Sequence, residues 1–344
     1  MDNSDKMVLV TGGTGFVGVH CIVQLLQQGY TVRTTVRSLK RRNDVLNMVE
    51  TAGIRSSGRL TFIEADLLSD TNWATAAAGC TYVLHVASPI FLNVPKDENE
   101  LIRPAVDGTI RVLVAARDAG VKRVVMTSNF GAVGYSHTDT TKIITEESWT
   151  DPAEKGLSAY NKSKVLAEQA AWNFIEQQGG NLELSVINPV GIFGPSLGPE
   201  LSSGFELLQK VLDGSMKSIP NITLGIVDVR DVADLHIRAM TSPAANGQRF
   251  LAVAGKTVSL PEIARLFKAE LGDAASRVST RKLPDWVVRV ASFVSPTAKS
   301  ILPLLSRYRD SSNEKARHLL GWAPRSNEEA LLATAVSLIA NGKV

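Results

Sequence analysis

Glycines at positions 12, 15 and 18 stand directly behind the apolar run Val8-Leu9-Val10, at the head of a stretch, residues 15–28, whose apolar positions recur at helical spacing. Glycines so placed let the backbone turn sharply out of a buried strand, and they leave the helix N-terminus, opened by Phe16 and Val17, uncovered toward an anion. The same alternation then repeats. Apolar runs at 8–10, 31–36, 60–64 and 82–86 read as buried strands, and stretches at 15–28, 43–51 and 99–119 as helices. Strand, helix, strand in that order implies parallel pairing with right-handed crossovers, so the expected fold is a doubly wound α/β sheet of the Rossmann type.

Residues 123–128 read as a fifth strand, followed by a loop from about 135 to 157 rich in Thr, Asp and Glu, a helix from Tyr160 to about Gln177 and a strand at 182–187. Beyond Pro189 the order loosens. Residues 191–220 mix Gly, Pro and Ser around a helical stretch at 205–212; residues 227–229 read as a strand returning to the sheet, and 232–240 as a helix. The stretches 259–271, 283–292 and 327–340 are mainly helical. The expected division is a dinucleotide-binding core of residues 1–190, completed by about 225–255, and a smaller substrate-binding lobe of 191–224 and 256–344.

At 344 residues, 44% hydrophobic and 21% charged, the chain can bury one large core with an appended lobe. A net charge of +3 offers no case for nucleic acid or an anionic membrane, and no uncharged run reaches the roughly 18 to 20 residues that span a bilayer. Cys21 and Cys80 cannot form a disulfide framework and are expected to be reduced and buried. The N-terminus has no basic segment leading into a cleavable apolar stretch, so a cytoplasmic monomer or homodimer is expected. His20, His85, His137, His236 and His318 lack metal-ligand spacing; neither a metal nor a catalytic histidine is expected.

About twenty residues beyond the glycine loop, where a carboxylate would hold the ribose 2′-hydroxyl of NAD, the chain reads Arg33-Thr-Thr-Val-Arg37-Ser38, with no acid. Arg37, helped by Lys40 or Arg41, suits a 2′-phosphate, so NADPH is expected in preference to NADH. Asp66 and Leu67, behind the third strand, suit the adenine edge, with a helix N-cap as the other role open to Asp66. Val86, Ala87 and Ser88 end the fourth strand at the carboxyl edge of the sheet, where small residues leave room for a ribose.

Tyr160 and Lys164 lie four positions apart on the expected helix, so they share one face and the ammonium favours the phenolate. A carbonyl that takes hydride at carbon needs a proton at oxygen and donors for the developing charge. Tyr160 suits the first task. Lys164 suits tuning it and holding the nicotinamide ribose as well.

With these residues the chain resembles the extended short-chain dehydrogenases/reductases, in the branch that contains dihydroflavonol reductases and microbial aldehyde or ketone reductases. The resemblance runs nearly end to end and rests on VTGGTGFVG (10–18), GCTYVLHVASP (79–89), YNKSKVLAEQAAW (160–172), INPVGIFGP (187–195) and DVRDVA (228–233). It implies that Pro189, Val190 and Ile192 line the nicotinamide and that hydride passes to a carbonyl held by a serine and Tyr160. That family reads Thr-Ser-Ser at the end of the fifth strand, whereas this chain reads Thr127-Ser128-Asn129-Phe130-Gly131. The resemblance thus puts Asn129 in the catalytic place, its amide polarising the carbonyl as a hydroxyl does. Ser128 is the alternative if the strand end shifts, because adjacent strand residues point to opposite faces.

Plant dihydroflavonol reductases carry an asparagine where this chain has Gly134, and cinnamoyl-CoA reductases an aromatic-rich version of the stretch Leu157-Ser-Ala-Tyr160. A smaller aldehyde or ketone is therefore the expected substrate, with Phe91, Phe130, Leu197 and Phe205 as candidate apolar walls and core packing as their competing role. Asp228-Val-Arg-Asp231 reads as a helix cap with an ion pair. Two other functions stay open beside an NADPH-dependent carbonyl reductase. One is a nucleotide-sugar epimerase or dehydratase, for which residues 191–220 offer only Lys210 and Lys217 toward a diphosphate. The other is a redox-sensing regulator that binds NADP without turnover and has no need of a Tyr-Lys pair.

Overall fold

The computed structural model describes residues 3–55, 58–89, 97–137, 139, 142–198, 203–305 and 308–344. Its first half runs β1 (Met7–Val10), α1 (Phe16–Gln27), β2 (Thr31–Val36), α2 (Arg42–Thr51), β3 (Leu60–Glu64), α3 (Trp73–Ala77), β4 (Tyr82–His85), α4 (Asn99–Asp118), β5 (Arg123–Thr127), α5 (Ala159–Gln178) and β6 (Glu183–Pro189). There follow β7 (Gly191–Phe193), α6 (Ser203–Leu212), β8 (Ile219–Pro220), β9 (Thr223–Leu224), β10 (Ile226–Asp228), α7 (Val229–Thr241) and β11 (Gln248–Ala252). The chain ends with β12 (Val258–Ser259), α8 (Leu260–Glu270), β13 (Lys282–Leu283), α9 (Asp285–Ala291), α10 (Pro296–Ile301), α11 (Glu314–Leu320) and α12 (Asn327–Ala340).

Seven parallel strands form the central sheet in the order β11-β6-β5-β4-β1-β2-β3. Its alternate residues feed two cores, as the pleat requires. Val8, Val10, Val125 and Ile187 pack with α1, α2 and α7, while Leu9, Val124, Met126, Leu184 and Val186 pack with α3, α4 and α5. Buried on both faces, these strands read as continuous apolar runs.

One strand is not where the sequence puts it. Residues 226–228 do not rejoin the sheet: β10 pairs with β7 in a separate two-stranded ribbon. The seventh strand of the sheet is β11, whose Gln248–Ala252 run beside Ser185–Pro189. β11 opens on Gln248 and Arg249, which look like surface residues in the sequence, but Arg249 is buried by pairing with a carboxylate. The short helices α3, α10 and α11, of five to seven residues, are too brief to show a helical period.

A third core builds the lobe, where Phe193, Phe205, Leu208 and Leu212 meet Ile263 and Phe267 of α8 and Leu331 and Leu338 of α12. Phe205 has no exposed surface and meets the Phe16 ring edge-on, centroids 5.2 Å apart. It packs the lobe against α1 and does not line a pocket. Asp228 caps α7 through the Arg230 amide and pairs with the Arg230 guanidinium at 2.6 Å, while Asp231 pairs with Arg325. Cys21 and Cys80 are both buried and free. Among the described residues no helix is long and apolar enough to cross a membrane.

Removing the Phe205 ring leaves a cavity between two rigid elements. Phe205→Ala is expected to lower the unfolding free energy by about 3–5 kcal/mol in a denaturant titration. A loss under about 1 kcal/mol would show that the ring does not hold the lobe to α1.

Candidate active site

The glycine loop is held tightly from behind. Gly12 adopts φ +73°, donates its N–H to Thr35 Oγ1 at 3.1 Å, and lies so near β4 that a Cβ would sit 3.1 Å from Ala87. A Cβ on Gly18 would fall 2.4 Å from the Gly12 oxygen. α1 starts at Gly15 with no side-chain cap and no acid in its first turn. Its leading amides and the positive end of its dipole therefore lack a protein anion, which is what a diphosphate requires.

Thr11 joins this loop to β4. Its hydroxyl accepts the N–H groups of Val86 and Ala87 at 3.1 and 3.0 Å, so its own hydrogen goes to Nδ1 of His85, 3.0 Å away. That leaves His85 neutral with its proton on Nε2. Burial, reinforced by the charge of Lys164, pushes its pKa down to about 3.

Of the cations behind β2, Arg33 donates to the carbonyls of Ala76 and Ala78 at the end of α3, Arg41 pairs with Asp44 at 3.0 Å, and Arg42 lies over the Phe62 ring. Arg37 and Lys40 are exposed, with no side-chain partner among the described residues. Asp66 does not cap a helix: its Oδ1 accepts from the Leu68 amide at 2.9 Å, and the residue before α3 is Asn72. Leu67 is buried against Gly108. Pro189 is buried at the end of β6, Val190 follows it against Gly225, and Ile192 lies half-buried in β7.

α5 begins at a cap, Ser158 Oγ accepting the Asn161 amide, and carries Tyr160 and Lys164 on successive turns of one face. Lys164 is buried, its Nζ 5.8 Å from the Tyr160 ring centroid and donating to Ser88 Oγ at 3.0 Å. Tyr160 is 50% exposed, so its hydroxyl is open to a ligand. A narrow cleft at the carboxyl ends of β4 and β5 is lined by Leu67, His85, Ala87, Ser88, Thr127 and Lys164. The larger cavity, about 450 Å³, lies in the lobe among Asn221, Arg265, Lys282 and Tyr308. Neither Tyr160 nor Lys164 lines it, whereas Lys164 lines the cleft.

Ser128 keeps the ladder, its amide bonded to the Ile187 carbonyl at 2.8 Å, and its Oγ is enclosed without a partner. Asn129 leaves the sheet in an extended conformation, φ −157°, half-buried, with Oδ1 enclosed and unpaired beside Gly131. Its Nδ2 is the end of the amide left to donate.

The three described candidate walls do not line one pocket. Phe91 lies outside the described residues, Phe205 belongs to the lobe core, and Leu197 packs against the core on the α1 side. Among the described candidates, only Phe130 adjoins the site. Its ring tilts against Tyr135 and covers Gly134, where a Cβ would lie 2.2 Å from the ring.

Residues 8–254 match the model of the NAD dependent epimerase/dehydratase family. The chain belongs to that family. Cinnamoyl-CoA reductase CAD2 of Medicago truncatula is 35% identical over 254 residues, covering 72% of this chain and 76% of that one. Among solved structures, Gre2 of Candida albicans in complex with NADPH superposes with a TM-score of 0.81 at 27% identity, covering 98% of this chain and 99% of the other. Yeast methylglyoxal/isovaleraldehyde reductase Gre2 complexed with NADPH gives 0.80 at 26% identity, with 98% and 100% covered.

Sequence reasoning passes over Thr11, which fastens the loop to His85, and over Glu168, Asn188 and Arg249, which the fold bonds together. The one signal for Glu168 is its place one turn beyond Lys164, in register with Tyr160.

Three buried histidines make stability depend on pH. Burial lowers the pKa of His20 and His236 from 6.5 to about 4, and that of His85 to about 3. The unfolded chain takes up these protons near pH 6.5 and the folded chain does not, so stability present above 6.5 is lost as pH falls toward 4. Urea unfolding is expected to show that decline, and His236→Gln to reduce its slope by about 1.4 kcal/mol per pH unit. An unchanged slope in the variant would mean that His236 titrates alike in both states.

Proposed function

We propose that this protein is an NADPH-dependent carbonyl reductase that converts a small or medium aldehyde or ketone to an alcohol. The observation that carries this reading is Tyr160, half-exposed, one helical turn from a buried Lys164 that is tied to Ser88 just beyond β4. The cofactor assignment draws on the two NADPH complexes above, each aligned over 98% of this chain, and on the two unengaged cations, Arg37 and Lys40.

The residues present suit that cofactor. The first turn of α1, with Gly12, Gly15, Phe16, Val17 and Gly18, would take the diphosphate, and Arg37 and Lys40 the 2′-phosphate. Asp66 and Leu67 would meet the adenine, Val86, Ala87, Ser88 and Lys164 the ribose near the chemistry, and Pro189, Val190 and Ile192 the nicotinamide. When bound, NADPH supplies a hydride to the carbonyl carbon. Tyr160 gives its phenolic proton to the carbonyl oxygen, and Lys164 stabilises the phenolate that remains. Asn129 Nδ2 polarises the same oxygen; Ser128 Oγ, being enclosed, would first have to be uncovered. The lobe of residues 191–224 and 256–344 would close over the substrate.

Purified protein is expected to oxidise NADPH faster than NADH with some member of a panel of aliphatic and aryl aldehydes, α-diketones and ketoesters. Binding of NADPH without turnover on any of them would sink the reading. Tyr160→Phe should cost about 10²–10⁴ in kcat with cofactor affinity nearly intact, and unchanged turnover would remove Tyr160 as the acid.

Arg37→Ala is expected to weaken NADPH binding by about 1.5–3 kcal/mol and to leave NADH binding unchanged, as read by titration calorimetry. Equal effects on both would remove Arg37 from the 2′-phosphate.

A further inference from the structure

Behind the cleft lies an ion pair that the proton-transfer chemistry does not use. Glu168 is 0% exposed and Arg249 7%, and the guanidinium Nε donates to Glu168 Oε1 at 2.6 Å. A buried pair of this kind costs several kcal/mol per ion in lost hydration, so it is weak as a source of stability. Its bonds reach the loop after β5 by two routes. By the first, Glu168 Oε2 accepts from Asn188 Nδ2 at 2.7 Å, and the same nitrogen donates to the backbone oxygen of Asn129 at 3.3 Å. By the second, Arg249 Nη1 donates to the carbonyls of Glu146 and Ser148, each at 3.0 Å, and its guanidinium stacks 3.6 Å from the Trp149 ring centroid. The next residue, Thr150, is bonded to Ala132 and Tyr135 on the Asn129 loop.

We infer that Glu168, held by Arg249 and acting through Asn188, is a positioning residue that sets the direction of the Asn129 amide relative to Tyr160. The inference rests on Asn129 as the carbonyl donor. Glu168 sits on the helix of Tyr160 and Lys164, two turns beyond the phenol, so one rigid element carries the acid in its first turn and the anchor of its partner donor at its middle. The Asn129 amide itself has no side-chain bond that fixes it, since its Oδ1 is unpaired. Its direction is therefore inherited from its backbone, whose carbonyl accepts from the Ala132 amide at 3.1 Å within the loop and from Asn188, and the Asn188 bond is the one that ties it, through Glu168, to α5.

The test is a double-mutant cycle of Asn188→Ala and Asn129→Ala, read as kcat, KM and NADPH affinity on whichever carbonyl the panel identifies, with thermal unfolding as a check on folding. Asn188→Ala is expected to lower kcat by about 10- to 100-fold with NADPH affinity held, because a donor displaced by about 1 Å loses that much. In the Asn129→Ala background the same change should cost less than about threefold, since the group it positions is already gone. A residue that only supports the fold would lower kcat in both backgrounds alike, so multiplying losses overturn the inference. Glu168→Gln, which keeps an acceptor for Asn188 but removes the charge that holds Arg249, serves if Asn188→Ala does not fold; wild-type kcat in either folded variant also overturns it. Full kcat in Asn129→Ala with Asn188 intact overturns the donor reading itself, and that result is visible before the cycle is closed.

Discussion

β1 is hydrogen-bonded in parallel to β2 on one edge and to β4 on the other, and the rest of the molecule follows from that. The chain winds outward from β1 in one direction through β2 and β3, then returns to wind in the other through β4, β5, β6 and β11. The connections on either side of β1 lead away from each other, which opens a crevice at the carboxyl ends of the strands. The glycine loop, the Val86–Ser88 turn and Lys164 all border it. Thr11 is the fastening: one hydroxyl satisfies two amides of the β4 turn and fixes the tautomer of His85.

Local order was readable in the sequence where it depends on short-range pattern. Thr31–Val36, Leu60–Glu64 and Asn327–Ala340 occur at the residues the periodicity indicates, because apolar alternation and helical spacing are properties of neighbours. The Tyr160–Lys164 pair was readable for the same reason, as an interval on one helix. What stayed hidden depends on partners far away in the chain. Arg249 looks like a surface residue until Glu168, 81 positions earlier, neutralises it. Residues 227–229 look like a returning strand, and only the presence of Gly191–Phe193 beside β10 shows that it pairs outside the central sheet. Phe205 and Leu197 were apolar residues in a plausible stretch, but which core each belongs to is set by three-dimensional neighbours such as Phe16.

The polar groups near the cleft divide into two populations with different physical demands. Tyr160, Arg37 and Lys40 are exposed and need no partner from the protein. Glu168, Asn188, Arg249 and His85 are enclosed, and in a low-dielectric interior each must be satisfied or bear a penalty. The first population is free to meet ligands. Within the second, Glu168 bonds Asn188 and Arg249 and His85 bonds Thr11, while Asn188 Oδ1 and Arg249 Nη2 stay enclosed without a partner, so this network holds its geometry at a residual cost.

The Phe130 ring lying on Gly134 couples two positions that the sequence shows as independent. A side chain at 134 has no room while the ring is there, and a smaller residue at 130 leaves the space above the glycine empty. Enlarging residue 134 therefore requires residue 130 to shrink or its ring to leave its place against Tyr135. Changing one residue at a time will miss the combinations in which bulk moves from one side of that contact to the other.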